Sequence, residues 1–136
     1  MSKLVKEFAE KLDGREYLNE ITPAEETWAK DNGLVVVYGY SDDNVEFSGA
    51  IYDEVPAWEG ATIVLNQNGV IGEPDCGDYD CKYYQDAKKG AHTIHAYWGK
   101  GDYPWSFETD IPHEKFHIVE DGEPFSEGIV FAIEDL

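Results

Sequence analysis

The spacing of hydrophobic positions divides the chain into a helical beginning and a long β-rich remainder. Leu4, Phe8 and Leu12 recur at i, i+4 and i+8, which predicts a first amphipathic helix. Thr22-Pro23-Ala24-Glu25 has the capping-box pattern with proline at the first helical position. A second, shorter helix is therefore predicted from there to Asn32-Gly33, and residues 1–33 form the helical part of the chain.

From residue 34 onward the helical period gives way to the alternation that is typical of strands. Leu34–Tyr40 predicts a buried strand, and Val45–Tyr52 predicts its neighbour across an acidic turn. The other predicted strands are Ala61–Leu65, Val70-Ile71, Ala91–Trp98, Tyr103–Thr109, Lys115–Val119 and Phe125–Ile133. The pattern predicts one α+β domain over residues 1–136, with two N-terminal helices packed on a mostly antiparallel, curved sheet of about six to eight strands.

Composition changes this picture mainly through charge. The 29 Asp and Glu residues against 10 Lys and Arg give a formal net charge of −19, whereas a small soluble domain typically carries a magnitude of roughly 2–8. Such a field repels nucleic acid and anionic membranes, and it attracts basic protein surfaces, metal ions or polyamines. We therefore expect the partner to be a basic surface of a protein, with neither direct nucleic-acid binding nor membrane binding. A role of the charge in solubility alone is the alternative.

The beginning of the chain and its cysteine content predict a cytoplasmic protein. No positively charged segment followed by an apolar run opens the sequence, as a secretory signal would require. The apolar run Leu34–Tyr38 is far shorter than the roughly 18 residues that cross a bilayer. Cys76 and Cys81 are the only cysteines, which fits a reducing compartment.

Cys76, Cys81, His92 and His95 are the candidate ligands of a zinc ion, because thiolate and imidazole groups suit this metal. The four-residue gap between the cysteines is long for a zinc pair. Histidines three positions apart on a strand also point to opposite faces. Free thiols and solvent-facing histidines are therefore the alternative, and no other cofactor is predicted.

A metal-dependent or carboxylate-based enzyme acting on a small molecule is the second functional interpretation. Carboxylates as close in sequence as Asp42, Asp43 and Glu46 can push each other's pKa values apart. In a chain with 29 acidic residues, however, such neighbours also arise by chance. His113 and His117 flank a predicted strand start, but no nucleophile is identifiable from spacing, so no catalytic residue is assigned.

The distribution of acids and tyrosines favours a binding surface instead. Acids at i and i+2 on a strand lie about 6.6–6.8 Å apart, roughly twice the 3.4 Å rise per phosphate along one DNA strand. Such acids can occupy a groove built for nucleic acid, and an ordinary solvated surface is the alternative. Tyrosines interleaved with these acids are typical of protein interfaces. The predicted binding residues are Tyr40, Asp42, Asp43, Glu46, Tyr52, Asp53, Glu54, Asp78, Asp80, Glu108 and Asp110.

Four segments carry a resemblance to known proteins: Tyr38–Asp43, Phe47–Glu54, Trp105–His113 and Gly128–Phe131. In them the chain resembles a family of small uncharacterised proteins encoded by phages and prophages of Gram-positive bacteria. The resemblance implies a place in the infected or lysogenic host cell, but no activity and no catalytic residue. It favours a non-enzymatic protein that blocks a host defence protein or another nucleic-acid-binding protein. A virion structural or assembly protein is the third interpretation.

Overall fold

A computed structural model of the protein describes residues 3–15, 18–40, 44–56, 61–72, 92–98, 105–120 and 126–136. Two α-helices come first, α1 (Lys3–Leu12) and α2 (Pro23–Asp31). The described strands are β1 (Leu34–Tyr40), β2 (Asn44–Gly49), β3 (Asp53–Pro56), β4 (Ala61–Asn66), β5 (Gly69–Gly72), β6 (His92–Trp98), β7 (Trp105–Thr109), β8 (Phe116–Glu120) and β9 (Glu127–Ala132). No helix in these ranges is long and apolar enough to span a membrane.

Helix α1 forms where the hydrophobic spacing predicts it, but its buried stripe is shifted. Val5, Phe8, Ala9 and Leu12 are buried, whereas Leu4 is 38% exposed. An α-helix has 3.6 residues per turn. The four buried residues therefore lie on one side of the helix, and Leu4 lies outside that side. The helix therefore packs through a stripe that begins at Val5.

Helix α2 begins at the predicted capping box. The Thr22 hydroxyl accepts from the Glu25 backbone N–H at 3.2 Å, and the Glu25 carboxylate accepts from the Thr22 backbone N–H at 3.0 Å. Arg15 donates from both terminal nitrogens to the same carboxylate, with Nη1 at 2.7 Å from Oε1, and from Nε to the Lys11 carbonyl. These bonds to Arg15 are the main reason that the pKa of Glu25 falls to about 2. The only arginine thus ties the end of α1 to the start of α2.

The strands form two antiparallel sheets, with the order β3-β2-β1-β9-β8 in the first and β5-β4-β6-β7 in the second. The α+β class is therefore confirmed, as are the N-terminal helices and the antiparallel pairing. The described strands number nine rather than six to eight, and they divide between two sheets rather than forming one. Strands β9 and β8, from the end of the chain, join the first sheet because β9 pairs with β1.

Gly49 accounts for the additional strand. The sequence predicts one strand over residues 45–52, but the backbone leaves the extended conformation at Gly49, where φ is +108°. A Cβ atom there would lie 2.2 Å from the Leu34 carbonyl oxygen, which accepts a 2.8 Å hydrogen bond from the Ala50 N–H. Only glycine fits this position without strain. The chain turns here, and β3 follows as a separate edge strand.

Two apolar layers cover opposite faces of the five-stranded sheet. On β1, Val35 and Val37 contribute to the layer between the two sheets, whereas Val36 and Tyr38 contribute to the layer beneath the helices. Trp105 of β7 fills the space above Gly39, where a Cβ atom would lie 1.9 Å from the Trp105 Cδ1 atom. The helices, the five-stranded sheet and the four-stranded sheet therefore form three layers in that order.

Candidate functional site

The clearest group of predicted binding residues lies on β2 and β3, on the side of the five-stranded sheet that faces the helices. Glu46 stands directly opposite Tyr38 of β1 on one side and Glu54 of β3 on the other. Asn44 shares this face with Glu46 because alternate strand residues point the same way. We call Tyr38, Asn44, Glu46 and Glu54 the acidic face. Like charges placed directly across a strand pair are unfavourable, so this arrangement opposes folding.

Neutral donors hold both carboxylates of the acidic face. The Tyr38 hydroxyl donates to Glu46 Oε2 at 2.8 Å, and Asn44 Nδ2 donates to Glu54 Oε1. Burial, and then the hydrogen bond to Glu46, raise the pKa of the Tyr38 phenol above its usual range, so it stays a protonated donor. Within the described residues neither carboxylate has a lysine or arginine partner. Within the described part of the chain, both charges are therefore held by neutral groups alone.

Other predicted residues surround this face. Tyr52 is 84% exposed, and the Asp53 carboxylate accepts from the Glu54 backbone N–H at 2.8 Å. Charges on an edge strand such as β3 also discourage pairing with another sheet. Tyr40 pairs with Asn44 through the backbone. Its side chain lies outside the described part of the chain, as do Asp42, Asp43, Asp78 and Asp80.

The remaining predicted acids, Glu108 and Asp110, belong to the other sheet. Glu108 lies opposite His95 of β6 and accepts from the Tyr97 hydroxyl at 3.2 Å. Asp110 Oδ1 accepts from the Thr93 backbone N–H at 3.0 Å, which fastens the end of β7 to β6. Its role is therefore at least partly structural. The structure brings the described candidates together as two groups on two sheets rather than as one surface.

The histidines of the predicted zinc site leave β6 on opposite faces, as expected from their spacing. His92 Nδ1 lies 3.1 Å from Asp110 Oδ1, and His95 Nδ1 lies 2.7 Å from the Thr62 hydroxyl. Cys76 and Cys81 lie outside the described residues. Within those residues, no three histidine, cysteine or acidic side chains are placed to hold a metal ion. The zinc site stays a prediction.

Sequence reasoning missed a second metal-like pattern, since residues 113–117 match the spacing His-Glu-x-x-His. On a helix this spacing places both histidines on one side, where they bind zinc. Here His113 begins a three-residue 3-10 helix and His117 lies in β8. The His113 ring packs against Phe116, with 5.8 Å between ring centroids. Because this segment is not an α-helix, the spacing does not produce the zinc-binding arrangement.

A cavity of about 310 Å³ lies between α2 and the β2–β3 connection. We call it the α2–β2 groove. It is lined by Glu26, Thr27, Lys30, Ser48, Gly49, Ala50 and Tyr52. Of these, only Tyr52 was predicted as a site residue. Strand alternation from Glu46 assigns Ser48 to the same face, but the position of α2 above it depends on tertiary packing.

Comparisons of the chain with protein-family models, with curated proteins and with solved structures gave no match. The acidic face and the α2–β2 groove are therefore the structural features of the described chain that bear on its function.

Proposed function

We propose that this protein is a non-enzymatic, acidic binding protein that occupies a basic site on a partner protein. The observation that supports this most directly is the pairing of Glu46 with Glu54. Glu54 is exposed and Glu46 is half-buried. The chain carries a net charge of −19, and neutral donors hold the pair in place. Repulsion between the two carboxylates is relieved when a cationic surface approaches. Binding therefore removes the unfavourable electrostatic repulsion that the two carboxylates add to the folded chain.

The spacing of these charges supports a partner site that otherwise holds nucleic acid. Side chains directly opposite on neighbouring strands have Cβ atoms about 4.5–5.5 Å apart, and alternate residues along a strand lie about 6.6–6.8 Å apart. Both separations are of the same order as those between phosphates of a nucleic acid. The resemblance to phage proteins supports a target in the host cytoplasm, such as a defence protein or another nucleic-acid-binding protein.

The test begins with affinity capture from a Gram-positive bacterial lysate. Capture is performed at about 0.01 M salt, where the Debye length is about 30 Å, and at about 1 M salt, where it is about 3 Å. A protein retained only at low salt is identified by mass spectrometry and purified. Its dissociation constant is then measured across the salt range, with duplex DNA as a competitor. We expect affinity to fall steeply with salt and DNA to displace the protein.

A matched pair of variants distinguishes the acidic face from net charge. Glu46→Gln/Glu54→Gln and Glu114→Gln/Glu120→Gln remove the same charge, but the second pair lies on and next to β8, at the opposite edge of the sheet. We expect the first variant to weaken partner binding at least about tenfold, since close charge pairs dominate such interfaces. The second should change it less than about threefold. Affinity that is insensitive to salt, or equal losses in both variants, would contradict the proposal.

A further inference from the structure

The α2–β2 groove contains a buried hydroxyl group that has no internal partner. Ser48 is 2% exposed, and its Oγ atom has no hydrogen-bond partner within the described residues. Buried polar groups are nearly always hydrogen-bonded, and one that is not calls for an explanation. Because Ser48 shares its strand face with Glu46, its side chain points toward α2 and the groove that it lines. The hydroxyl is therefore placed to bond with a molecule seated there.

The groove adjoins the acidic face, because Ser48 follows Glu46 on the same side of β2. Glu26 lines the groove from α2. Tyr52, which is 84% exposed, stands at the rim of the groove. The lining of the groove therefore includes a carboxylate, a hydroxyl and an aromatic ring. The carboxylate and the aromatic ring favour a cation, and the hydroxyl can accept a hydrogen bond from it.

We infer that the α2–β2 groove binds the guanidinium group of an arginine side chain presented by the basic partner, an inference that rests on the proposed function. A guanidinium is planar and carries five N–H donors, so it can donate to Glu26 and to Ser48 Oγ together while its face stacks on Tyr52. An ammonium group is more strongly hydrated and lacks this flat shape. A cavity of about 310 Å³ has room for an arginine side chain.

Lys30 is the one cationic residue of the groove lining. It is exposed, and among the described residues it forms no ion pair. Its flexible side chain can move into solvent when a guest cation enters. Removing its charge should therefore strengthen guanidinium binding, while removing the charge of Glu26 should weaken it. These opposite signs are specific to a cation in the groove.

The experiment is an NMR titration of the whole chain with butylguanidinium, which represents an arginine side chain. Binding is monitored through the chemical shifts of the backbone amides. We expect saturable shifts at Thr27, Gly49 and Ala50. Butylammonium, which has the same alkyl length, should bind several-fold more weakly. Pentanoate, an anion of similar length, should produce no saturable shift at these amides.

Matched variants identify the contacts. Ser48→Ala should weaken butylguanidinium binding by about tenfold, because a hydrogen bond to a charged group is lost. Ser106→Ala removes the other buried hydroxyl that has no partner within the described residues, on β7 of the other sheet, and should leave binding unchanged. Glu26→Gln should weaken binding about tenfold and Lys30→Gln should strengthen it a few-fold, since each removes one nearby charge. Thermal unfolding of every variant checks that the fold is retained.

The outcomes separate this inference from the proposed function. Saturable groove shifts that Ser48→Ala and Glu26→Gln weaken, and Ser106→Ala does not, support the inference. Absence of saturation, or equal binding of pentanoate, overturns it. Guanidinium binding without any salt-sensitive protein partner leaves the groove a cation site and removes the proposed function. If partner binding is salt-sensitive but unchanged by Ser48→Ala and Glu26→Gln, the proposed function stands and the inference about the groove is overturned.

Discussion

The helix-facing side of the five-stranded sheet has two halves with opposite chemistry. On β1, β9 and β8 it is apolar and lies beneath the helices, with Val36, Val119 and Val130 buried there. On β3, and on β2 beyond Ser48 where α2 covers it, the same side carries Glu46 and Glu54, of which Glu54 is exposed. The apolar half of this surface thus stabilises the fold, whereas the half on β2 and β3 places two negative charges next to each other.

The difference shows how stability and binding are divided within one sheet. Burial of apolar area stabilises at about 25 cal/mol per Å², so the covered half supplies stability in proportion to the area that the helices bury. The open half supplies none of this, and its paired carboxylates oppose folding. Substitutions should therefore be costly in the first half and almost neutral, or stabilising, in the second.

Phe8→Ala in the covered half should have the largest effect. Phe8 is 1% exposed and packs on Trp28, with 5.6 Å between ring centroids. Loss of a buried phenylalanine side chain costs about 3–5 kcal/mol of unfolding free energy. Urea unfolding measures this, with Tyr52→Ala as the control, because an 84% exposed ring should cost less than about 0.5 kcal/mol. If Phe8→Ala and Tyr52→Ala lowered the unfolding free energy by similar amounts, packing of the helices on the covered half would not be a main source of stability.

The Arg15–Glu25 pair, which holds the two helices over the covered half, should have an intermediate effect. Glu25→Gln should cost about 1 kcal/mol at neutral pH, since an ion pair and part of a helix cap are lost. Glu7→Gln is the control, because the Glu7–Lys3 pair is an exposed one at 3.9 Å and is worth at most about 0.2–0.5 kcal/mol.

The effect of Glu25 should depend on pH. Arg15 holds the pKa of Glu25 at about 2 in the folded chain, below its ordinary value of 4.5. A depressed folded-state pKa contributes stability above the unfolded value, and this contribution is lost as pH falls through the folded value. The difference in unfolding free energy between wild type and Glu25→Gln should therefore be constant above pH 4.5 and shrink toward pH 2. A difference that does not change across this window would contradict the ion pair.

Local signals predicted the elements, whereas the division between the two halves depends on long-range pairing. The capping box at Thr22–Glu25 and the apolar run Leu34–Tyr40 are readable from adjacent residues, and both are confirmed. The pairing of β1 with β9 and the register of Glu46 against Glu54 involve residues that the sequence does not place next to each other. Glu46, Tyr52 and Glu54 were therefore predicted one by one, whereas their grouping, and the part played by Tyr38, Asn44 and the α2 residues, was not.

Glu46→Gln/Glu54→Gln should have the smallest effect on stability although it changes the open half most. Glutamine keeps the size of each side chain and an oxygen that can still accept from Tyr38 or Asn44, while the repulsion between the two carboxylates disappears. We expect the unfolding free energy in urea to rise by up to about 0.5 kcal/mol. A loss of more than about 1 kcal/mol would mean that the charged hydrogen bonds from Tyr38 and Asn44 outweigh the repulsion. The acidic face would then be part of what holds the sheet together, and the contrast between the two halves would fail.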